Sequence, residues 1–119
     1  MRQKILFLVS ADPWHARARA ALDFVMTAAV LDQEVHLCFW GDAVAHLLPE
    51  QDGAGLGLKT LAQQLPALEL DGIMNVYAER AMFDRLGMNT HDLSLPVVLI
   101  DRSELQLLLQ SCDVVEHAR

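Results

Sequence analysis

The chain has 119 residues, 53% of them hydrophobic, and a formal charge of −7. That length suits one domain with a modest core, and that apolar content excludes a disordered chain. The acidic balance disfavours a surface built to grip phosphate backbones, so no strong direct nucleic-acid binding is expected.

No apolar run approaches the roughly 18 residues that a membrane span needs. The opening Met1-Arg2-Gln3-Lys4-Ile5 leads straight into a strand-like run and lacks the h-region of a signal peptide. A cytoplasmic setting without membrane association is the expectation. There the two cysteines, Cys38 and Cys112, are not expected to form a structural disulfide.

Residues 4–10 (KILFLVS) form a continuous apolar run, the pattern of a strand buried on both faces. Asp12 then reads as an N-cap and Pro13 as a first helical residue. Ala21, Phe24, Val25, Ala28 and Leu31 follow at helical spacing on one face. Residues 34–40 (EVHLCFW) are a second strand, ended by Gly41-Asp42. A short helix over 43–48 is stopped by Pro49. Residues 50–58 (EQDGAGLGL) read as a loop, because glycines weaken any regular element. Residues 59–65 suggest another short helix.

Residues 72–77 are a third strand, feeding a helix over 78–86 with Ala78, Met82, Phe83 and Leu86 on one side and Gly87 as C-cap. Residues 96–100 (PVVLI) are a fourth strand. Ser103 caps a last helix whose inner face carries Leu105, Leu108, Leu109 and Cys112. Residues 113–116 (DVVE) are a short fifth strand. Alternating strand and helix periods imply an α/β fold. It is a single domain over 1–119, with a roughly five-stranded, mainly parallel sheet and helices on both faces. Right-handed crossovers make it doubly wound.

In such sheets ligands and catalytic groups collect where strands hand over to helices. Here that junction reads Tyr77-Ala78-Glu79-Arg80, with no Ser, Cys or His nucleophile. Glu79 and Arg80 read as a first-turn acid favoured by the helix dipole and a solvated cation, or as groups that orient a ligand. With Ser10 and Asp12 after the first strand, Tyr77, Glu79 and Arg80 are the candidates for lining a crevice. Gly53, Gly55 and Gly57 invite a phosphate-loop reading that fails on spacing. Leu58 stands between the last glycine and Lys59, and no strand precedes the loop. A surface or interface loop fits better.

Trp14 and His15 are candidates for partner contact or for packing, and Trp40 joins them as a contact candidate. Cys38 alternates with His36 and Trp40 along the second strand and reads as a buried small hydrophobe, as does Cys112 on the last helix. The five histidines show no metal-ligand spacing, and neither a metal nor a cofactor is expected.

The order of elements and several strings resemble a known family. These are the opening KILFLVSADPWHARARAALDFVMTAAVLDQEVHLCFWGDAVAHLLPEQ, the helix-and-glycine string AERAMFDRLGM and the ending SELQLLLQSCDVV. The aromatic strand followed by Gly41-Asp42-Ala43-Val44 and Leu47-Leu48-Pro49 is the most specific part. The chain resembles the DsrE/DsrF-like superfamily over nearly its whole length, and most of all its TusC (DsrF) branch.

The resemblance implies a cytoplasmic sulfur-relay role, in a heterohexamer with TusB-like and TusD-like subunits. Such complexes pass persulfide sulfur toward 2-thiouridine at the tRNA wobble position, and their Dsr counterparts serve sulfur oxidation. In that family the sulfur-carrying Cys belongs to the TusD-type subunit, at the start of the helix after the third strand. Counting back from Gly87 puts Glu79 at the matching position, where a persulfide carrier needs a thiol. The resemblance therefore implies a non-catalytic subunit. The rival reading is a stand-alone enzyme or small-molecule binder on a flavodoxin-like sheet.

Overall fold

The structure is a computed structural model that describes residues 3–10, 33–47, 75–93 and 96–118. Expectations for residues 11–32, 48–74, 94–95 and 119 lie outside the described residues. Among them are the helix after the first strand, the glycine loop and the short helix over 59–65.

Five strands form one parallel sheet: β1 (Lys4–Val9), β2 (Glu34–Phe39), β3 (Asn75–Glu79), β4 (Val98–Ile100) and β5 (Val114–Ala118). Their order is β4-β3-β2-β1-β5, and every pairing is parallel. Two α-helices fall among the described residues, α1 (Arg80–Arg85) and α2 (Arg102–Ser111), with a 3-10 helix over Gly41–Leu47. The chain thus steps outward from β1 to β4, then crosses back to place β5 on the far side of β1.

Alternation along the strands sorts the core into two layers. One face carries Phe7 and Val9 of β1, Val35, Leu37 and Phe39 of β2, and Val76 and Ala78 of β3. The 3-10 helix covers it with Ala43, Val44 and Leu47, and α1 with Phe83. The opposite face carries Leu6, Cys38 and Ile100, covered by Leu105, Leu108, Leu109 and Cys112 of α2 and its end. The helices lie on opposite faces because right-handed crossovers that travel in opposite directions must. Phe39, Leu6 and Leu37 are essentially solvent-free. Each contributes about 1.5–3 kcal/mol of hydrophobic stabilisation.

Several boundaries depart from the sequence expectation. The third strand runs on to Glu79, so Ala78 is a buried strand residue rather than helical. The cause is pairing on both sides: Ala78 stands opposite Phe39 of β2 and Leu99 of β4, and this ladder overrides the helical spacing. The helix after it is shorter, Arg80–Arg85, and Leu86 is its exposed C-cap.

Gly87 takes φ +67 and lies one residue past that cap. Its N–H donates to the Asp84 carbonyl at 3.0 Å, and the Met88 N–H to the Phe83 carbonyl at 3.3 Å, a Schellman closure. The expected short helix over 43–48 is present as a 3-10 helix that starts earlier, over Gly41–Leu47.

The last helix is capped by Asp101, not Ser103. Asp101 Oδ1 accepts from the Glu104 N–H at 2.8 Å, and Glu104 Oε1 accepts from the Asp101 N–H at 3.2 Å, a full capping box. The fourth and fifth strands are also shifted, to Val98–Ile100 and Val114–Ala118.

Lys4 locks the amino end of β1 to the turn before β5. Its N–H donates to Asp113 Oδ2, its carbonyl accepts from the Asp113 N–H, and its Nζ donates to Ser111 Oγ, each at 2.8 Å.

Candidate functional site

A parallel sheet gathers all its carboxyl ends along one rim. Among the described residues that rim holds Ser10 after β1, Trp40 and Gly41 after β2, Glu79 and Arg80 at the end of β3, and Asp101 after β4. Gly41 turns the chain sharply, at φ +59, a backbone that only glycine adopts without strain. The turn aims the Gly41 N–H at β3, where Glu79 Oε1 accepts it at 3.1 Å.

Glu79 occupies the N-cap position of α1, yet its side chain makes no cap hydrogen bond there. The carboxylate serves the neighbouring strand end instead. Arg80 is exposed, and its guanidinium donates to the Leu99 carbonyl at 3.0 Å, tying the junction to β4. Both junction residues thus bridge strand ends.

Ser10 bonds elsewhere on the rim. Its Oγ lies 2.9 Å from His117 Nε2 of β5, across the place where the strand order reverses. Tyr77 does not join the rim. It points onto the α2-covered face, with its hydroxyl 2.9 Å from His36 Nδ1 and its ring stacked on the imidazole at 5.7 Å and 18°.

The other imidazole nitrogen, Nε2, lies 2.8 Å from Glu34 Oε2. His36 is buried, and both of its nitrogens are satisfied, as burial of a polar ring requires. This carboxylate–imidazole–phenol chain was not anticipated from the sequence. The signal for half of it was present, because Glu34 and His36 alternate onto one face of β2.

Neither thiol stands at the Glu79 position: Cys38 lies opposite Tyr77 on β2, and Cys112 at the end of α2. Cys38 is fully buried in β2, and its pKa is raised from the ordinary 9.0 to about 12 by burial and, secondarily, by the Glu79 charge. Cys112 is half-buried at the C-cap of α2, and burial pushes its pKa up as well. Glu34 and Asp113 add to the rise, while a hydrogen bond with Ser111 and the Lys4 charge oppose it. Tyr77 is likewise raised, by burial first and then by Cys112, Cys38 and Glu34. Thiols held in their protonated form are poor sulfur nucleophiles.

Of the contact candidates, Trp40 is half-buried and packs against the α2-covered core. Trp14, His15, Gly53, Gly55 and Gly57 lie outside the described residues, as does Asp12 of the crevice set. No group of three or more metal-ligating side chains forms among the described residues. None of their helices is long and apolar enough to cross a membrane.

The five-stranded parallel sheet is a fold shared with known proteins. The DsrE/DsrF-like family model matches residues 3–116, and the chain belongs to that family. It is 32% identical over 116 residues to a protein TusC homolog of Pseudomonas aeruginosa, covering 97% of this chain and 98% of that one. It is 28% identical over 118 residues to the intracellular sulfur oxidation protein DsrF of Allochromatium vinosum, covering 98% and 86%. The crystal structure of the ychN protein from E. coli superposes with a TM-score of 0.77 at 20% identity, over 97% of this chain and 98% of that one.

Proposed function

We propose that this chain is a non-catalytic, TusC-like subunit of a cytoplasmic sulfur-relay complex. Its partners are TusB-like and TusD-like chains, and the complex passes persulfide sulfur toward wobble 2-thiouridine in tRNA. The observation that carries this reading is Glu79. It stands at the β3–α1 junction, where a carrier subunit needs a thiol, and its carboxylate is engaged by the Gly41 N–H. The two cysteines lie elsewhere, and burial holds both thiols protonated.

In this role the chain covers its partners and shapes the surroundings of a thiol that one of them supplies. Similarity to TusC homologs of Pseudomonas aeruginosa and Vibrio vulnificus supports the assignment. Similarity to DsrF of Allochromatium vinosum favours a second reading, the same subunit role in sulfur oxidation.

Co-expression with TusB-like and TusD-like chains, followed by native mass measurement, tests the assignment. A stable hetero-oligomer that contains all three chains is expected, with two copies of each in the heterohexamer. A chain that stays monomeric beside both partners at micromolar concentration contradicts it.

A further inference from the structure

An edge strand presents a row of unpaired N–H and C=O groups to its outer side. Among the described residues β4 and β5 are the two edges of the sheet. β4 is blunted, because it spans only Val98–Ile100 and Pro96 stands just before it. β5 is not. It runs over Val114–Ala118 without lysine, proline or bulge, in unbroken register with β1 from Ile5 opposite Val114 to Val9 opposite Ala118. Its Val115 is 41% exposed.

One hydrogen bond fixes which backbone groups of β5 face outward. The Asp113 N–H donates to the Lys4 carbonyl of β1 at 2.8 Å. Successive strand residues aim their N–H and C=O at opposite sides, so Val115 and His117 also face β1. Val114, Glu116 and Ala118 therefore present theirs to the outer side. Side chains alternate as well. Val115 and His117 stand opposite Leu6 and Leu8 on the α2-covered face, with Asp113 in step, and Val114 and Glu116 share the other face.

We propose that two copies of this chain join antiparallel through the outer side of β5, so that their sheets run on as one. Identical edges close about a twofold axis perpendicular to the sheet, which keeps like faces on the same side. Charge and exposure select the register. Glu116 against its own copy would set like charges directly opposite. Val114 against its own copy would set the Asp113 carboxylate opposite apolar Val115. Glu116 against Ala118 would oppose the two His117 rings.

Val114 against Glu116 of the second copy avoids all three, and these residues exchange both backbone bonds. Val115 then meets Val115 of the second copy in a non-hydrogen-bonded pair, where side chains come closest. Asp113 meets His117 of the second copy, a carboxylate acceptor opposite an imidazole. Both are held in place within their own chain, Asp113 by the Lys4 N–H and His117 by the Ser10 hydroxyl. The pairing concerns the chain alone and does not rest on the relay role, although it suits the two copies per complex proposed above.

An edge strand is a small contact, so dimerisation should follow concentration. Sedimentation equilibrium of the full chain from micromolar to millimolar concentration tests it. The wild type is expected to approach twice the monomer mass. Val115→Lys, which sets two like charges on the twofold axis, is expected to stay monomeric with an unchanged far-UV circular dichroism spectrum. In a Cys112→Ala background, Val115→Cys is expected to form an interchain disulfide on mild oxidation faster than Glu116→Cys.

A wild type that stays monomeric throughout, a Val115→Lys variant that dimerises like the wild type, or faster cross-linking through Glu116→Cys would each overturn the pairing. A chain that is monomeric alone but loses its assembly with TusB-like and TusD-like chains on Val115→Lys would give the edge to a partner's strand, and so overturn the second copy as occupant. Cross-linking compares two exposed positions, so it decides the register even if Val115→Lys unfolds the chain.

Discussion

The Glu79 carboxylate and the Gly41 N–H hold two strand ends together across 3.1 Å. The residue at the expected sulfur position is therefore a structural acceptor that fastens β3 to the turn after β2. Replacing it separates shape from charge. Glu79→Gln keeps an oxygen acceptor and should leave stability close to wild type. Glu79→Ala leaves the Gly41 donor without a protein partner and should cost about 1 kcal/mol in urea unfolding. Because the Glu79 charge also raises the Cys38 pKa, Cys38 should ionise at lower pH in Glu79→Gln, measured by thiolate absorbance.

Cys38 makes stability sensitive to alkali. Its folded pKa, about 12, lies above the ordinary 9.0, so the folded state favours the protonated thiol. The contribution is complete below about pH 9. It is lost as pH rises toward the folded value, by up to roughly 1 kcal/mol per pH unit. Urea midpoints followed upward from neutral pH should fall beyond that point. The fall should be shallower in Cys38→Ala, which also carries a constant cavity cost.

The cap of α2 gives a paired test. Asp101→Ala removes the side-chain acceptor of the capping box and should lower stability by about 1 kcal/mol. Ser103→Ala should change it little, because the Ser103 hydroxyl does not close the helix. Thermal unfolding of the two variants side by side distinguishes them.

Gly87 isolates a backbone effect. A Cβ there meets nothing within 4 Å, but φ is +67. Gly87→Ala should therefore cost about 1–2 kcal/mol from conformation alone, without a packing defect. Chemical denaturation measures the loss, and near-UV circular dichroism should stay unchanged.

The sheet was legible because its central strands are buried on both faces. KILFLV reads as a continuous apolar run and EVHLCF as a second strand, and the two core layers follow from their alternation. What failed were boundaries set by distant partners. Ala78 and Glu79 look helical in their own neighbourhood and are extended because β4 pairs with both and β2 with Ala78.

The capping box was written locally, as Asp101-x-x-Glu104, and Ser103 drew the assignment away from it. The Glu34–His36–Tyr77 hydrogen-bond chain could not be read whole. Glu34 and His36 lie two apart, but Tyr77 is 41 residues from His36 and meets it only through the strand register. On the rim, the sequence located Glu79 and Arg80 at the right junction. It could not show that Glu79 bonds the backbone of the turn after β2 and Arg80 that of β4.

The most direct measurement is sulfur transfer through the reconstituted complex carrying a Cys38→Ala, Cys112→Ala double variant of this chain. Transfer to tRNA at the wild-type rate, with no sulfane sulfur on this chain by intact mass in the wild-type complex, is the expected result. Loss of transfer while the assembled complex keeps its mass would contradict a non-catalytic role.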